Sequence, residues 1–376
     1  MIDGIKIECT INDRRKWENS LYLIARHAEQ TGEVLPLPAE SQLNGCTFAR
    51  VQTSQGKRYT LTGSLHRYFK KGAENDDGYT AKDLRATIHT LQNTHSIDPQ
   101  RSKIINFEFG VNIKLPIGIE AKDFQKYLVS AYTKAFEKLN PKRPAVGYIA
   151  EFNEYSIKIY DKGYQANKGV FDLLRVEIKV NRTRWLDQFN FIKGDELYLS
   201  DLLDKGNQAI LGNILIEKVS SLILTPRKVE LSKLSPKQRL TFYECRDARS
   251  WEEWSSRQRE RKKQQLAVIF RKLRQPNPVD VLAKLVRQQW STLTREPEPP
   301  KESQKHRQKV TFSTLIVDGI RDLFSLLNSH EYPRGKDTTS AYVVYRPRGT
   351  PLAHEPPPAL IPGVARWIDL ISTHPP

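Results

Sequence analysis

The stretch that decides the fold is residues 155–180, which read YSIKIYDKGYQANKGVFDLLRVEIKV. Apolar and polar side chains alternate from Tyr155 to Tyr160 and again from Leu173 to Val180, and this period of two is typical of half-buried β-strands. The intervening Asp161-Lys162-Gly163 has the composition of a turn. The stretch therefore predicts a β-hairpin whose two strands are joined by a longer loop.

Further strands and helices are predicted before this hairpin. Alternating apolar residues predict strands over Ile5–Cys9, Tyr59–His66 and Ile104–Ile113. Apolar residues at helical spacing predict one helix that begins after Thr80 and a second helix from Ala121 to Leu139. This order of elements predicts an α+β domain, with a largely antiparallel sheet and helices on one of its faces.

The pattern changes near residue 226, where alternation gives way to helical spacing and proline. Residues 226–295 contain 18 basic and 7 acidic residues. Residues 296–309 have the composition of a linker, a short helix is predicted over Ser313–Leu327, and a proline-rich tail follows. We therefore predict a sheet-based domain over 1–225, a small basic helical domain over 226–295, and a linker, short helix and tail over 296–376.

Charge is the strongest global signal. The 376 residues include 60 lysines and arginines against 43 aspartates and glutamates, a formal net charge of +17. A clustered excess of positive charge favours nucleic acid as the partner, although a solvated helical surface has a similar composition. No apolar run is long enough to cross a bilayer and no export signal is recognised, so we expect a cytoplasmic protein with no membrane partner. The three cysteines Cys9, Cys46 and Cys245 lack metal-ligand spacing.

Strand parity assigns each side chain to one face of the predicted sheet, because successive side chains point to opposite sides. The apolar residues of the four central runs fall consistently on one side. Seven polar side chains fall on the other side: His66, Glu108, Lys158, Tyr160, Arg175, Glu177 and Lys179. The polar face thus gathers two carboxylates, an imidazole, several cations and a tyrosine.

This set is sufficient for a transesterification site. Glu108, Glu177 and His66 are suitable ligands for Mg²⁺ or Mn²⁺. Tyr160 could attack a phosphorus atom beside such an ion, and the charge of Lys162 would lower the cost of forming its phenolate. Tyr164 lies four residues later and is an alternative nucleophile.

Four segments of the chain together resemble those of rolling-circle replication initiators. They are GSLHRYF at 63–69, FEFGVNI at 107–113, IKIYDKG at 157–163 and LRVEIK at 174–179. The set is similar to the replication protein of filamentous phages and to the initiators of small plasmids and phages, including those of Bacteroidetes. The resemblance spans roughly residues 1–225 and extends into the basic stretch 234–273.

The resemblance implies an endonuclease that nicks one DNA strand at an origin. Its tyrosine stays linked to the 5′ phosphate, and the free 3′ hydroxyl primes DNA synthesis. Tyr160-Asp161-Lys162 matches the Tyr-x-Lys motif of the filamentous-phage type, and Glu108 and Glu177 match its acidic residues. Many such endonucleases carry a His-hydrophobic-His metal motif, which this sequence lacks, so the metal site would be mainly carboxylate.

The resemblance also implies partners. These are origin or single-stranded DNA and, by the same reasoning, a host helicase and a DNA polymerase. The candidate DNA contacts are cationic side chains on the sheet and on the basic helices: Lys158, Arg175, Lys179, Arg257, Arg261, Lys262 and Lys263. Trp251, Trp254 and Tyr243 would stack on bases if exposed, or pack a small core if buried.

Two other classes of function are compatible with the sequence. A DNA-binding regulator without catalysis explains the charge but leaves the polar sheet face unexplained. A hydrolytic metal-dependent nuclease or transposase would use water in place of the tyrosine and would form no covalent adduct. A nucleotide-driven function is disfavoured, because the sequence has no Gly-x-x-x-x-Gly-Lys-Ser/Thr loop.

Overall fold

The structure of the chain, a computed structural model, describes residues 1–21, 23, 39–115, 120–142, 146–166, 172–191, 196–226 and 229–295. The linker, short helix and tail predicted over 296–376 lie outside these residues.

The strands of the described part run in chain order as β1 (Ile2–Cys9), β2 (Ala39–Leu43), β3 (Cys46–Thr53), β4 (Gly56–Ser64), β5 (Lys103–Lys114), β6 (Leu128–Ala131), β7 (Lys134–Ala135), β8 (Glu137–Lys138), β9 (Gly147–Glu151), β10 (Tyr155–Asp161), β11 (Leu173–Val180) and β12 (Leu222–Leu224).

The α-helices are α1 (Arg14–Asn19), α2 (Leu65–Phe69), α3 (Ala81–His95), α4 (Ala121–Gln125), α5 (Lys162–Gln165), α6 (Lys205–Ser220), α7 (Pro236–Arg246), α8 (Ala248–Glu253), α9 (Ser256–Lys272) and α10 (Pro278–Thr294). Short 3₁₀ helices cover Thr183–Phe189, Leu199–Leu203 and Leu231–Lys233.

Nine of the strands form one antiparallel sheet in the order β2-β3-β4-β1-β5-β11-β10-β9-β8. The predicted hairpin is the pair β10–β11, in which Ile157 lies opposite Ile178 and Lys158 opposite Glu177. The predicted α+β class with a largely antiparallel sheet is confirmed. Strand β1 lies between β4 and β5, which places residues from the start of the chain at the centre of the sheet.

The apolar side of the sheet is covered partly by the helix pair α6 and α10. Trp290 on α10 lies with its ring centroid 6.1 Å from that of Phe109 on β5, and its indole N–H donates to the carbonyl oxygen of Gln208 at 3.1 Å. A Cβ on Gly212 would lie 2.3 Å from the indole nitrogen, so this position of α6 admits no larger residue without movement. The helical spacing of apolar residues in the sequence predicts a helix over Val279–Leu293, and the structure confirms it as α10.

Helices α7, α8 and α9 pack around a second apolar cluster. Its members are Val129, Ile223, Leu234, Phe242, Cys245, Trp251, Leu266, Ile269, Phe270 and Leu273. Two of them, Val129 and Ile223, come from the small antiparallel sheet β12-β6-β7. Trp251 is fully buried and its indole N–H donates to the carbonyl oxygen of Cys245 at 2.8 Å, so this tryptophan packs the core.

The predicted helix from Ala121 to Leu139 is wrong beyond Gln125. Helix α4 stops there, Leu128–Ala131 forms β6, and Tyr132 takes a left-handed φ of 54° at the turn into β7. The partner strand β12 lies about ninety residues later, and its hydrogen bonds outweigh the local helical spacing of the apolar residues.

The predicted strand through His66 also ends early. The side chain of Ser64 accepts a hydrogen bond from the backbone N–H of Arg67 at 3.0 Å, and this N-cap starts helix α2 at Leu65. His66 is therefore a helical residue, and strand parity does not govern its direction.

Among the described residues, no helix is both long and apolar enough to span a membrane.

Candidate active site

A polar cavity of about 480 Å³ opens on the face of the sheet opposite α10, where β1, β5, β11 and β10 lie side by side. Six of the side chains that line it are ionisable groups on or beside these strands: Asp3, Glu108, Lys158, Tyr160, Lys162 and Glu177. Strand parity predicted all of these positions on the polar face except Asp3 and Lys162, and the structure brings them together.

Glu177 lies at the centre of this cavity and is almost fully buried. Its Oε2 accepts from Arg175 Nε at 2.6 Å and from the hydroxyl of Tyr160 at 3.2 Å, and its Oε1 accepts from Lys158 Nζ at 3.1 Å. Burial raises the pKa of Glu177, but Arg175 and Lys158 outweigh burial and lower the pKa to about 2. Glu177 is therefore a carboxylate at neutral pH.

Arg175 links three neighbouring strands. Besides Glu177, its guanidinium donates to Asn112 Oδ1 at 2.9 Å and to Asp3 Oδ2 at 3.0 Å. The side chain is 3% exposed, and all three of its nitrogens are bonded to the protein. The prediction that Arg175 contacts DNA is not supported by this arrangement, because the guanidinium is used to hold the polar face together.

Asp3 is a member of the site that the sequence analysis missed. Its carboxylate accepts from Arg175, from Asn75 Nδ2 at 2.6 Å and from the hydroxyl of Ser64. Simple alternation would put Asp3 on the same side as Ile5. The pairing of β1 with β5 shifts register between Ile2 and Ile5, and this irregularity turns Asp3 to the polar face.

The segment 75–77 covers one side of the cavity and is tied to the sheet. Asn112 Nδ2 on β5 donates to the carbonyl oxygens of residues 75, 76 and 77 at 3.4, 3.0 and 3.1 Å. Asn75 Oδ1 accepts from Lys162 Nζ at 2.6 Å. Asn75 was also missed, because nothing in a loop sequence indicates which sheet residue will hold it.

Tyr160 lines the cavity and its hydroxyl is bonded to Glu177, yet the residue is only 5% exposed. Burial, reinforced by the charge of Glu177, raises its pKa well above the ordinary value of a tyrosine. The phenol is therefore protonated at neutral pH and donates a hydrogen bond to Glu177. Any nucleophilic role requires removal of that proton when a substrate is bound.

Lys162 follows directly after β10 and is held beside the tyrosine. Its Nζ lies 6.0 Å from the ring centroid of Tyr160 and donates to Asn75 Oδ1 and, at 2.9 Å, to Gln165 Oε1. Burial and the nearby Arg175 lower the pKa of Lys162. Its ammonium is thus a better proton donor than an exposed lysine.

Glycines on the neighbouring strands make space for the site. A Cβ on Gly147, which pairs with Tyr160, would lie 2.1 Å from the tyrosine Cβ. A Cβ on Gly110, which pairs with Glu177, would lie 2.6 Å from the Cβ of that glutamate. Glycine is required at both positions, because a Cβ there would overlap the residue that faces it on the neighbouring strand.

Lys158 lies between the two carboxylates that were predicted as metal ligands. Its Nζ donates to Glu108 Oε1 at 2.8 Å and to Glu177 Oε1 at 3.1 Å. Burial lowers the pKa of Lys158, but Glu177 and Glu108 together raise it. An ammonium that belongs to the protein therefore bridges the two carboxylates.

The predicted metal-ligand set is not assembled in this arrangement. His66 does not line the cavity: its Nε2 lies 2.7 Å from Asp77 Oδ1, and its ring stacks on Tyr79 with centroids 4.8 Å apart. Within the described ranges, no group of three or more histidine, cysteine, aspartate or glutamate side chains is placed to hold a metal. The residues present do not fit a Mg²⁺ or Mn²⁺ ion. Lys158 bonds one oxygen of each carboxylate, and Arg175 and Tyr160 bond the second oxygen of Glu177.

The other predicted site residues lie outside the cavity. Lys179 is partly exposed, with Nζ 3.9 Å from Glu108 Oε1, and Tyr164 is 48% exposed on α5. On α9, Arg257 and Arg261 are exposed, whereas Lys262 and Lys263 are partly buried and contact other residues of the protein. Lys262 donates to Glu244, and Lys263 lies 5.7 Å from the ring centroid of Tyr132.

No family model matches the chain, and no curated protein matches it. A solved structure, that of a rolling-circle replication initiator protein from Geobacillus stearothermophilus, is similar to this chain at a TM-score of 0.29 and 10% identity. The match covers 64% of this chain and 90% of that chain. This likeness is too weak to assign a function, which is inferred instead from the geometry of the site.

Proposed function

We propose that the chain is a DNA-nicking enzyme in which Tyr160 is the nucleophile and which starts rolling-circle replication. The observation that carries this proposal is the hydrogen bond from the hydroxyl of Tyr160 to the buried carboxylate of Glu177, two residues that both line the polar cavity. Any buried tyrosine hydroxyl needs a hydrogen-bond acceptor, but here the acceptor is an ionised carboxylate that lines the cavity and can take the phenol proton.

The reaction is a transesterification. Tyr160 Oη attacks the phosphorus atom of a phosphodiester, the bond between phosphorus and the 3′ oxygen breaks, and a 5′-phosphotyrosine link forms. The phenol proton passes to Glu177 Oε2, which already accepts it in a hydrogen bond. The leaving 3′ oxygen takes a proton from the ammonium of Lys162, and the product strand ends in a 3′ hydroxyl that can prime synthesis.

The buried cations set the electrostatics of this step. A phosphate that enters the cavity brings negative charge close to Lys158 and Lys162. Competition for Lys158 would weaken its bonds to Glu177 and raise the basicity of that carboxylate when the substrate is present. Glu177 would then accept the proton of Tyr160 only in the substrate complex, which limits reaction in the free protein.

The experiment uses single-stranded oligonucleotides tiled across the genomic region that encodes the chain. Each is labelled at its 3′ end, because the fragment on that side of the nick becomes linked to the tyrosine. A labelled band that migrates with the protein on a denaturing gel is the expected result. Tyr160→Phe should abolish it, and the matched control Tyr164→Phe, on the exposed tyrosine of α5, should retain it.

Two other outcomes would replace the proposal. Cleavage without a covalent band, retained in Tyr160→Phe, would identify a hydrolytic nuclease. Tight binding to DNA with neither cleavage nor a covalent band would identify a DNA-binding regulator. A host helicase and a polymerase would be the next partners to test, because the chain has no phosphate-binding loop of its own.

A further inference from the structure

Helix α9 is held in a fixed position by a buried arginine. Arg259 Nη1 donates to the carbonyl oxygen of Trp251, at 3.2 Å, and to that of Trp254. These carbonyls lie on α8 and on the two-residue connection between α8 and α9. The side chain of Ser255 caps α9 and accepts from the backbone N–H of Gln258. The short connection between α8 and α9 is therefore held by hydrogen bonds from the buried side chain of Arg259.

The two faces of α9 differ sharply. One face buries Arg259, Leu266, Ile269 and Phe270 in the second apolar cluster or against it. The opposite face is exposed along the whole helix, and its residues follow at helical spacing: Arg257, Glu260, Arg261, Gln264, Ala267, Val268 and Arg271. Arg257, Arg261 and Arg271 make no side-chain hydrogen bond or ion pair with any other residue in the described part of the chain.

The chemistry of this exposed face matches the edges of base pairs in duplex DNA. Arginine pairs with guanine through two hydrogen bonds, glutamine pairs with adenine, and small apolar side chains contact the methyl group of thymine. The helix has 17 residues, about 26 Å in length, and an α-helix fits the width of the major groove. The face carries no aromatic side chain, which single-stranded binding would require for stacking.

The charge of α9 favours the same partner. The helix contains seven basic residues and one acidic residue. A protein partner would be expected to meet a larger apolar area, whereas Val268 is the only large apolar side chain on this face of the described helix. A polyanion is thus favoured over a protein or a second copy of the chain.

We infer that the exposed face of α9 binds duplex DNA in the major groove and reads its sequence, while the cavity on the sheet takes the strand that is cut. The inference rests on the proposed function in one respect, that DNA is the substrate. It assigns duplex recognition to Arg257, Arg261 and Gln264. The flanking Lys262 and Lys263, which have partners in the protein, are left with weaker or indirect roles.

The test is selection from a library of DNA duplexes with a randomised centre, followed by sequencing. The full chain should enrich one sequence, and Arg257→Ala/Arg261→Ala should lose that enrichment. Affinity for the selected duplex should fall about tenfold for each arginine removed, with the remaining binding weak and sensitive to salt. The matched control is Lys57→Ala/Arg58→Ala, which removes two exposed charges from the hairpin β3–β4.

The outcomes separate this inference from the nicking proposal. The α9 variant should still form the covalent band on a short single strand, and Tyr160→Phe should still select the same duplex. Selection that depends on α9 without any covalent band would refute nicking and retain the inference. A full chain that enriches no duplex, or an α9 variant that enriches the same one with equal affinity, would overturn the inference. An equal loss in the control would mean that net charge alone governs binding.

Discussion

The polar face of the sheet and the exposed face of α9 use the same residue types in opposite ways. On the sheet, Arg175, Lys158 and Glu177 are buried and bonded to one another. On α9, Arg257 and Arg261 are exposed and make no side-chain hydrogen bond or ion pair with the described part of the chain. Buried charges must be paired, since an unpaired one is costly, whereas exposed charges are free to meet a ligand. This difference is the basis for proposing chemistry in the first region and recognition in the second.

The largest difference between the two regions is expected when one glutamate in each is replaced by glutamine. Glu177→Gln should reduce formation of the covalent band at least a hundredfold, because the proton acceptor of Tyr160 is lost. It should also lower the free energy of unfolding at pH 7 by about 3–5 kcal/mol, since Arg175 and Lys158 each lose one of their two carboxylate partners. Glu260→Gln on α9 should change stability by less than about 0.5 kcal/mol. If urea denaturation gives the same loss of stability for Glu177→Gln and Glu260→Gln, the two regions do not differ in the way described.

The same glutamate gives a pH dependence. Glu177 has a folded-state pKa of about 2, below its ordinary value of 4.5. Its contribution to stability is therefore fully present above pH 4.5 and is lost as the pH falls through 2. Denaturation measured across this range should show a loss in the wild type that is smaller in Glu177→Gln. If the free energy of unfolding falls equally with acid pH in both proteins, Glu177 does not form the buried ion pair.

Removing one lysine from each region tests the same difference for the cations. Lys158→Gln should reduce the covalent band about tenfold to a hundredfold, whereas Lys263→Gln on α9 should leave it unchanged. Because Lys158 occupies the position between the two carboxylates, the wild-type reaction should persist in EDTA. If EDTA abolishes the band and added Mn²⁺ restores it, Glu108 and Glu177 bind a metal in place of the lysine, as the sequence alone predicted.

Close approach across the sheet predicts a smaller effect on stability. Gly147→Ala places a Cβ 2.1 Å from that of Tyr160 and should cost about 1–3 kcal/mol of stability, with a matching shift in Tm. In the control Gly78→Ala the new Cβ meets only the end of the Leu293 side chain, at 3.3 Å. Its cost should be less than about 1 kcal/mol. A tolerated Gly147→Ala would mean that the two strands separate more easily than their pairing indicates.

The smallest effect is expected at His66. Since this imidazole is bonded to Asp77 and does not line the cavity, His66→Gln should change the rate of covalent-band formation by no more than about twofold. The rate is compared at equal amounts of folded protein, measured by circular dichroism. A loss as large as that expected for Lys158→Gln would mean that His66 takes part in the reaction.

Much of the site could be predicted from sequence, because alternation in a strand fixes the side on which each residue lies. Parity placed Glu108, Lys158, Tyr160 and Glu177 on one face, and the structure brings these four together. Asp3 could not be found in this way, since a register shift in β1 reverses its side. Parity also failed at His66, where the cap formed by Ser64 ends the strand and starts a helix.

Partners that are distant in sequence account for the remaining differences. Residues 128–131 have helical spacing, but they pair with β12, and no local pattern indicates that strand. The alternation of side chains in a strand likewise predicts on which face of the sheet a cation lies, but not which residue it will bond. Arg175 was expected to meet DNA and instead joins three strands. On α9, helical spacing identified a basic helix but did not show which of its cations lie on the exposed face.

The most direct measurement of the central claim is peptide mapping of the covalent product. After the full chain reacts with a single-stranded oligonucleotide, the DNA is digested with nuclease and the protein with protease, and the modified peptide is sequenced by mass spectrometry. We predict that the nucleotide remnant is attached through a 5′ phosphate to Tyr160. A remnant on Tyr164 or on any other residue, or cleaved DNA with an unmodified Tyr160 peptide, would contradict the account.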